Sequence, residues 1–380
     1  MPGPHPHDQS FPVAVLASTD PVLRESVAFG LVMDAPGVVV VRHDVLAKYG
    51  AVRRVVTDGS GVLEDERIPL EHACLSCAVR EDALPTLARL AADGRWTGAV
   101  LALPLSAESL PATRAIAAAT QPGGLLARAH VATVAALVDL ATFEADLLDA
   151  ETLGERGLAL TEDDERSVGE ALAAQVEHAD LVVTVGERSM APTGSGLLDR
   201  LRAADSHRLD GLHGLGAARL LGHRHDTVRG ERRAHPLGAR GPLRGPLLPG
   251  DLSWTLELTS RRPLHPERLL EQIEALGTGR VRSRGVFQVA DRPGTACHWD
   301  GAGGQLYIGD LGPWVEACAG NPEQSRLVLV GAADDEDPLP RLHAAFEAAL
   351  LTDSEMADGA LVWIGRDDAL APWLGERAVR

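Results

Sequence analysis

The sequence predicts an α/β protein in which a mostly parallel sheet with helices on both faces is followed by a smaller α+β domain. Three observations carry this expectation. Residues 11–200 alternate short apolar runs with amphipathic stretches, the pattern of repeated βαβ units. Several of those runs are continuously apolar rather than alternating, as in strands buried on both faces. From residue 251 the order changes to strand, helix, three further strands and a closing helix.

The expected strands of the first domain are residues 12–16, 38–41, 52–56, 99–103, 131–134 and 180–185. In the second domain, strands are expected at 254–258, 285–289, 305–308 and 327–330, with a helix opened by Pro266 and running to 276, and another over 340–351. Residues 201–250 are rich in Gly, Arg, His and Pro and read as a linker. The resulting scheme is a flexible N-terminus at 1–10, a sheet domain at 11–200, the linker at 201–250 and the second domain at 251–380. There is no internal repeat.

Composition narrows the function classes. A chain of 380 residues with 45% apolar content can bury a sizeable core in each of two or three domains. The N-terminus has no basic stretch followed by an apolar run, and no segment approaches 18 uninterrupted apolar residues, so neither secretion nor membrane spanning is expected. A net charge of −18 repels nucleic acid as a whole, which excludes DNA as a partner and confines any RNA contact to a local basic patch or a protein intermediary. Four cysteines are too few for a disulfide framework, and the C-x-x-C spacing of Cys74 and Cys77 favours metal or redox chemistry in a reducing, cytoplasmic compartment.

The pair Cys74 and Cys77 reads three ways. Its spacing lets two thiolates reach one zinc ion, with His72 as a third ligand if the turn folds back. A helix starting near Ala78 would lower the thiol pKa and make a redox switch. Two inert thiols are the third reading.

The run Glu71-His-Ala-Cys-Leu-Ser-Cys-Ala-Val-Arg-Glu-Asp82 resembles the cysteine motif of CobW-family metallochaperone-like GTPases, with Ser76 in place of the family's middle cysteine. The likeness covers nearly the whole chain. It continues in Gln175-Val-Glu-His-Ala-Asp180, in Trp299-Asp-Gly-Ala-Gly-Gly304 with Gly312-Pro-Trp314, and in Ala349-Leu-Leu-Thr-Asp-Ser-Glu-Met356 with Ala371-Pro-Trp373. The form of the cysteine run is most similar to an actinobacterial branch named for recruiting a ribosome hibernation factor under zinc limitation. The resemblance implies a P-loop G-domain-like sheet, a CobW C-terminal-like domain, zinc as cofactor or cargo, and GTP with magnesium.

The nucleotide motifs depart from that family pattern. A P-loop needs G-x-x-x-x-G-K-[ST], so that backbone N–H groups, a lysine and a magnesium-binding hydroxyl converge on the phosphates. The corresponding stretch, Ser18-Thr-Asp-Pro-Val-Leu-Arg-Glu25, has neither glycine, and the chain's one lysine, Lys48, lies elsewhere. Arg24 keeps a charge but not an ammonium's shape. Ser18, Thr19, Arg24 and Ser26 are therefore the residues left to touch a phosphate. The guanine-reading N-K-x-D falls on Val185-Gly-Glu-Arg188, and the acidic segment after the fourth strand becomes Leu103-Pro-Leu-Ser-Ala-Glu108. Efficient GTP hydrolysis is not expected, and GTP and magnesium binding are in doubt.

Residues 201–250 hold five of the fourteen histidines (His207, His213, His223, His225 and His235) and nine arginines against four acids. A metal-collecting linker, a surface that orders on ribosomal RNA, and a solvated linker with incidental histidines all fit that composition. The tryptophans at 254, 299, 314, 363 and 373 are expected in a small core, and the acidic run 334–337 in a solvated loop. Two functions follow. One is a zinc-linked adaptor with an impaired nucleotide site, whose partner is a protein such as a ribosome hibernation factor, or the ribosome. The other is a GTP-dependent zinc metallochaperone.

Overall fold

Strand β1 (Phe11–Ser18) shows why the first domain forms a layered sheet, because its successive side chains enter different cores. Val13, Val15 and Ala17 join Val39, Val41 and Leu101 under Leu87, Leu90, Ala112 and Ile116. Ala14 and Leu16 join Val38, Val40 and Val100 under the helix Pro21–Asp34, through Leu23, Val27 and Leu31. A strand buried on both faces has no polar side to alternate, hence the continuous apolar run.

This computed structural model describes residues 10–70, 74–242, 252–333, 338–363 and 366–377. They form two compact units. The first gathers Met1–Ala141, Thr152–Met190 and Arg202–Ala234, and the second Thr142–Glu151, Ala191–Leu201 and His235–Arg380.

In the first unit the remaining strands are β2 (Val38–Leu46), β3 (Ala51–Asp58), β4 (Gly61–Pro69), β5 (Gly98–Ala102), β6 (Ala129–Asp139), β7 (Leu181–Val185) and β8 (His207–Asp210), in the order β4-β3-β2-β5-β1-β6-β7-β8. Pairing is parallel from β2 through β8, while β2-β3 and β3-β4 are antiparallel. The mostly parallel α/β expectation therefore holds. Strand β4 was invisible to apolar patterning because it is a charged edge strand whose residues are mostly exposed. Its Asp65 takes two hydrogen bonds from Arg53, at 2.7 and 2.6 Å.

The stretch expected as a linker departs from that expectation. Its described residues 201–242 supply β8, which pairs with β7, and the helices Ala217–Leu221 and Thr227–Ala234. Leu220 is wholly buried, and Arg233 pairs with Asp180 at 2.6 Å and Asp205 at 2.8 Å. Charges that read as solvated are satisfied inside the fold by carboxylates distant in sequence.

The second unit carries an antiparallel sheet of β9 (Ser253–Ser260), β10 (Val281–Phe287), β11 (Thr295–Ala302), β12 (Gln305–Pro313) and β13 (Ser325–Ala332), in the order β12-β11-β10-β13-β9. Strands β11 and β12 meet in a two-residue turn, Gly303 and Gly304, with φ of 56° and 74°. Two consecutive positive φ values match the twist of a hairpin and suit glycine. The helices Pro266–Gly277 and Leu339–Ala349 close one face through Leu269, Leu276, Leu342 and Phe346. Trp254, Trp299, Trp314 and Trp363 are buried as expected, while Trp373 is half-exposed. The acidic run 334–337 lies outside the described residues. Among the described residues no helix is long and apolar enough to cross a membrane.

Candidate functional site

At the phosphate-loop position, β1 ends at Ser18 and the helix opens at Pro21, so two residues, Thr19 and Asp20, make the whole connection. The Asp20 carboxylate caps the helix, accepting the Leu23 N–H at 2.9 Å. It therefore occupies the electropositive helix end at which a P-loop holds an anion, and Pro21 removes one further N–H.

Three of the four expected phosphate contacts, Ser18, Ser26 and Arg24, are bonded within the fold. Ser18 is buried, and its Oγ accepts the Asp20 N–H at 3.0 Å and donates to the Asp20 carbonyl at 3.2 Å. Thr19 is buried. Ser26 Oγ donates back to the Val22 carbonyl at 2.7 Å. Arg24, 3% exposed, points inward and donates to the carbonyls of His43 (3.3 Å) and Leu103 (3.0 Å) and to Asp44 Oδ1 (2.6 Å). Glu25, where the family has its magnesium-binding hydroxyl, pairs with Arg42 and with Arg24 at 3.2 Å. Arg24 is thus a structural cation joining the helix to β2.

The other two nucleotide elements are likewise internally bonded. After β7, Gly186 turns the chain with φ of 84°, and Arg188 reaches Asp210 Oδ2 at 2.7 Å. Burial works to raise the Asp210 carboxyl, but hydrogen bonds from Arg188, Thr184 and Arg208 outweigh it and bring the pKa down to about 2. After β5, Ser106 is a buried non-glycine residue with φ of 64°. Its N–H bonds the Ser18 carbonyl at 3.2 Å and its Oγ the Leu158 carbonyl at 2.6 Å. This strained backbone is held by its surroundings at the position of the family's acidic segment.

The cysteine pair lies at the start of a short helix, Leu75–Cys77, that continues as a π-turn over Ala78–Ala83. Cys74 is half-buried and caps the turn, its Sγ accepting the Cys77 N–H at 3.5 Å. Cys77 is buried, with the Arg80 guanidinium 3.5 Å from its Sγ. Two sulfurs on one turn, with a cation on one of them, suit half of a zinc site. His72, the expected third ligand, lies outside the described residues. Among those described, no three His, Cys, Asp or Glu side chains group as a metal cluster.

The turn that follows the pair carries Asp82 into a buried network. Asp82, on the π-turn, bonds His43 Nε2 at 2.7 Å and also takes a hydrogen bond from Arg54. Arg54 reaches on to Glu64 (3.0 Å) and Glu66 (2.8 Å). Burial opposes ionisation of Asp82, but His43 and Arg54 prevail and lower its pKa. The only sequence signal was Asp82 itself, at the end of the cysteine run; its partners lie on β2 and β3.

Comparison with known proteins places this geometry in context. Residues 253–350 match the profile of the cobalamin synthesis protein CobW C-terminal domain. The chain is 29% identical to a zinc chaperone of Mycobacterium tuberculosis over 95% of this chain and 93% of that one. It is 23% identical to zinc-regulated GTPase metalloprotein activator 1 of Dictyostelium discoideum, over 78% of this chain and 68% of that one. Among solved structures, Zn(II)-bound YjiA GTPase from E. coli aligns with 90% of this chain and 100% of its own, at 14% identity and a TM-score of 0.35.

Proposed function

We infer, from the premise that this chain belongs to the CobW family, that it serves zinc homeostasis as a zinc-linked adaptor acting by protein contact, with a nucleotide site no longer competent for GTP turnover. One observation carries the reading: the β1-to-helix connection is two residues long and closed by the Asp20 carboxylate. A phosphate there would meet a carboxylate and too few free N–H groups, and the nearest cation, Arg24, is committed to Asp44 and two carbonyls. Lost oriented donors and clamps each cost about 3–4 kcal/mol of transition-state stabilisation.

In this reading zinc is held in part by Cys74 and Cys77, and His72 would add a nitrogen ligand. The metal would fix the turn that leads into Asp82 and its network, so zinc supply would set the shape presented to a partner. The partner implied by the branch resemblance is a ribosome hibernation factor or the ribosome, in the cytoplasm.

The relatives' names favour a second reading, a zinc chaperone that couples delivery to GTP hydrolysis. Titration of the zinc-loaded protein with a fluorescent GTP analogue, with ATP and GDP as competitors, separates the two. The adaptor reading expects no magnesium-dependent binding at high micromolar concentration; saturable magnesium-dependent binding would support the chaperone. Salt-resistant co-sedimentation with ribosomes tests the partner, and its absence with and without zinc counts against the ribosomal role.

A further inference from the structure

His178 ends the helix Val168–His178, and His225 stands two residues before the start of the helix Thr227–Ala234. Both imidazoles are buried, 2% and 6% exposed, with ring centroids 5.5 Å apart and planes at 67°. Each ring is fixed through Nδ1. Ser109 Oγ lies 2.7 Å from Nδ1 of His178, and Asp180 Oδ2 lies 2.8 Å from Nδ1 of His225. Asp180 is itself oriented by Arg233 at 2.6 Å and the Val134 N–H at 3.0 Å. A carboxylate on Nδ1 makes that nitrogen the donor, so a neutral His225 presents its lone pair at Nε2.

The two Nε2 atoms face a common gap over Gly230. A methyl group built on Gly230 would lie 2.6 Å from His225 Nε2 and 3.1 Å from His178 Nε2, so the two nitrogens can converge there only because residue 230 has no side chain. His178 Nε2 is buried and has no hydrogen-bond partner among the described residues. Such an orphaned buried nitrogen is unfavourable unless a ligand satisfies it. Both rings line a cavity of about 220 Å³, bordered also by Thr113, Arg114, Thr227 and Glu231. The Glu231 carboxylate is bonded to Arg114 at 2.6 Å, which leaves the two nitrogens as the available ligands.

We propose that His178 and His225 form a binding site for a borderline-soft divalent cation of the zinc class, with two imidazole nitrogens as protein ligands and the remaining positions open to water or a small anion in the cavity. The support is the arrangement itself: imidazole suits zinc, copper and nickel, and a ligating histidine commonly has its other nitrogen held by a carboxylate, a hydroxyl or a carbonyl. The site is distinct from the Cys74 and Cys77 pair and stands independently of the adaptor reading.

The test uses the full chain with Cys74→Ser and Cys77→Ser, so that thiol binding is removed, and cobalt(II) as probe. Expected is one equivalent whose absorption lacks thiolate charge transfer, and its loss in His225→Gln and in His178→Gln. Ser109→Ala, which removes only the support of one ring, should weaken binding roughly tenfold. An unchanged cobalt stoichiometry in both histidine variants overturns the site. Should those variants fail to fold, ¹⁵N-histidine spectra of the otherwise unaltered chain decide it: zinc must shift the Nε2 resonances of two histidines whose Nδ1 atoms stay protonated. No shift means that water bridges the two nitrogens, and the proposal fails.

Discussion

Asp20 caps the helix that follows β1 by accepting the Leu23 N–H at 2.9 Å, and so brings its own anion to the helix end where the family's phosphate loop receives one. Replacing the cap by alanine frees that N–H and should cost about 1 kcal/mol, read from denaturant midpoints. It should not create nucleotide binding, because the connection remains two residues long and Pro21 still lacks a donor. GTP-analogue binding gained in Asp20→Ala would show that the carboxylate alone blocked the site.

Arg24 tests whether the remaining charge serves phosphate or fold. Its guanidinium is buried against Asp44 at 2.6 Å and the carbonyls of His43 and Leu103. Removing one member of a buried pair strands the other, so Arg24→Ala should destabilise by about 3 kcal/mol, the lower end of the usual range, because Asp44 still reaches solvent. Arg24→Ala with Asp44→Ala should cost less than the sum of the single changes. A variant of unaltered stability but lower nucleotide affinity would return Arg24 to a phosphate-binding role.

The layered sheet was legible because it rests on apolar runs such as 12–16 and 38–41, whose burial needs no knowledge of partners. What escaped was whatever depends on pairing between distant residues. Strand β4 shows no apolar alternation, and its place is fixed by hydrogen-bonded and ionic partners on β3. His225 and Arg233 read as solvated linker residues until Asp180, some 50 residues earlier by the separations of 45 and 53, supplies their common carboxylate. At the phosphate position the loss of glycines and lysine was plain in the sequence, but the inward turn of Arg24 was not, since it needs Asp44, the His43 carbonyl on β2 and the Leu103 carbonyl just past β5.

Thiol chemistry should divide the four cysteines sharply. Burial pushes Cys297 up to about 12, with the charge of Asp310 adding to it, and burial pushes Cys318 up to about 11. Neither forms thiolate near neutral pH, and neither should react with iodoacetamide before unfolding. Cys74 is half-buried and should label first, with Cys77 slower because it is enclosed. Zinc should slow labelling of Cys74 and Cys77 and leave the other two unchanged, as read by mass spectrometry of the labelled peptides. Equal labelling of Cys74 with and without zinc would dissociate the pair from metal.

Asp291 gives the second unit a pH dependence of unusual sign. Its side chain is buried, both carboxylate oxygens lack hydrogen-bond partners among the described residues, and Arg377 approaches only to 3.6 Å. Burial raises its pKa and the charge of Asp368 adds to the effect, against smaller opposing contributions from Arg377 and Arg292. A carboxyl whose folded pKa is raised holds a proton that the unfolded chain has released, so this group favours folding at pH below its folded pKa and loses that contribution as pH climbs through it. Asp291→Asn keeps the shape without the charge. It should therefore raise the denaturant midpoint at pH 7 and give little or no gain near pH 3.5, where the carboxyl is already protonated in the fold. A loss of stability at pH 7 would instead mean that the attraction of Arg377 outweighs the cost of burying the charge.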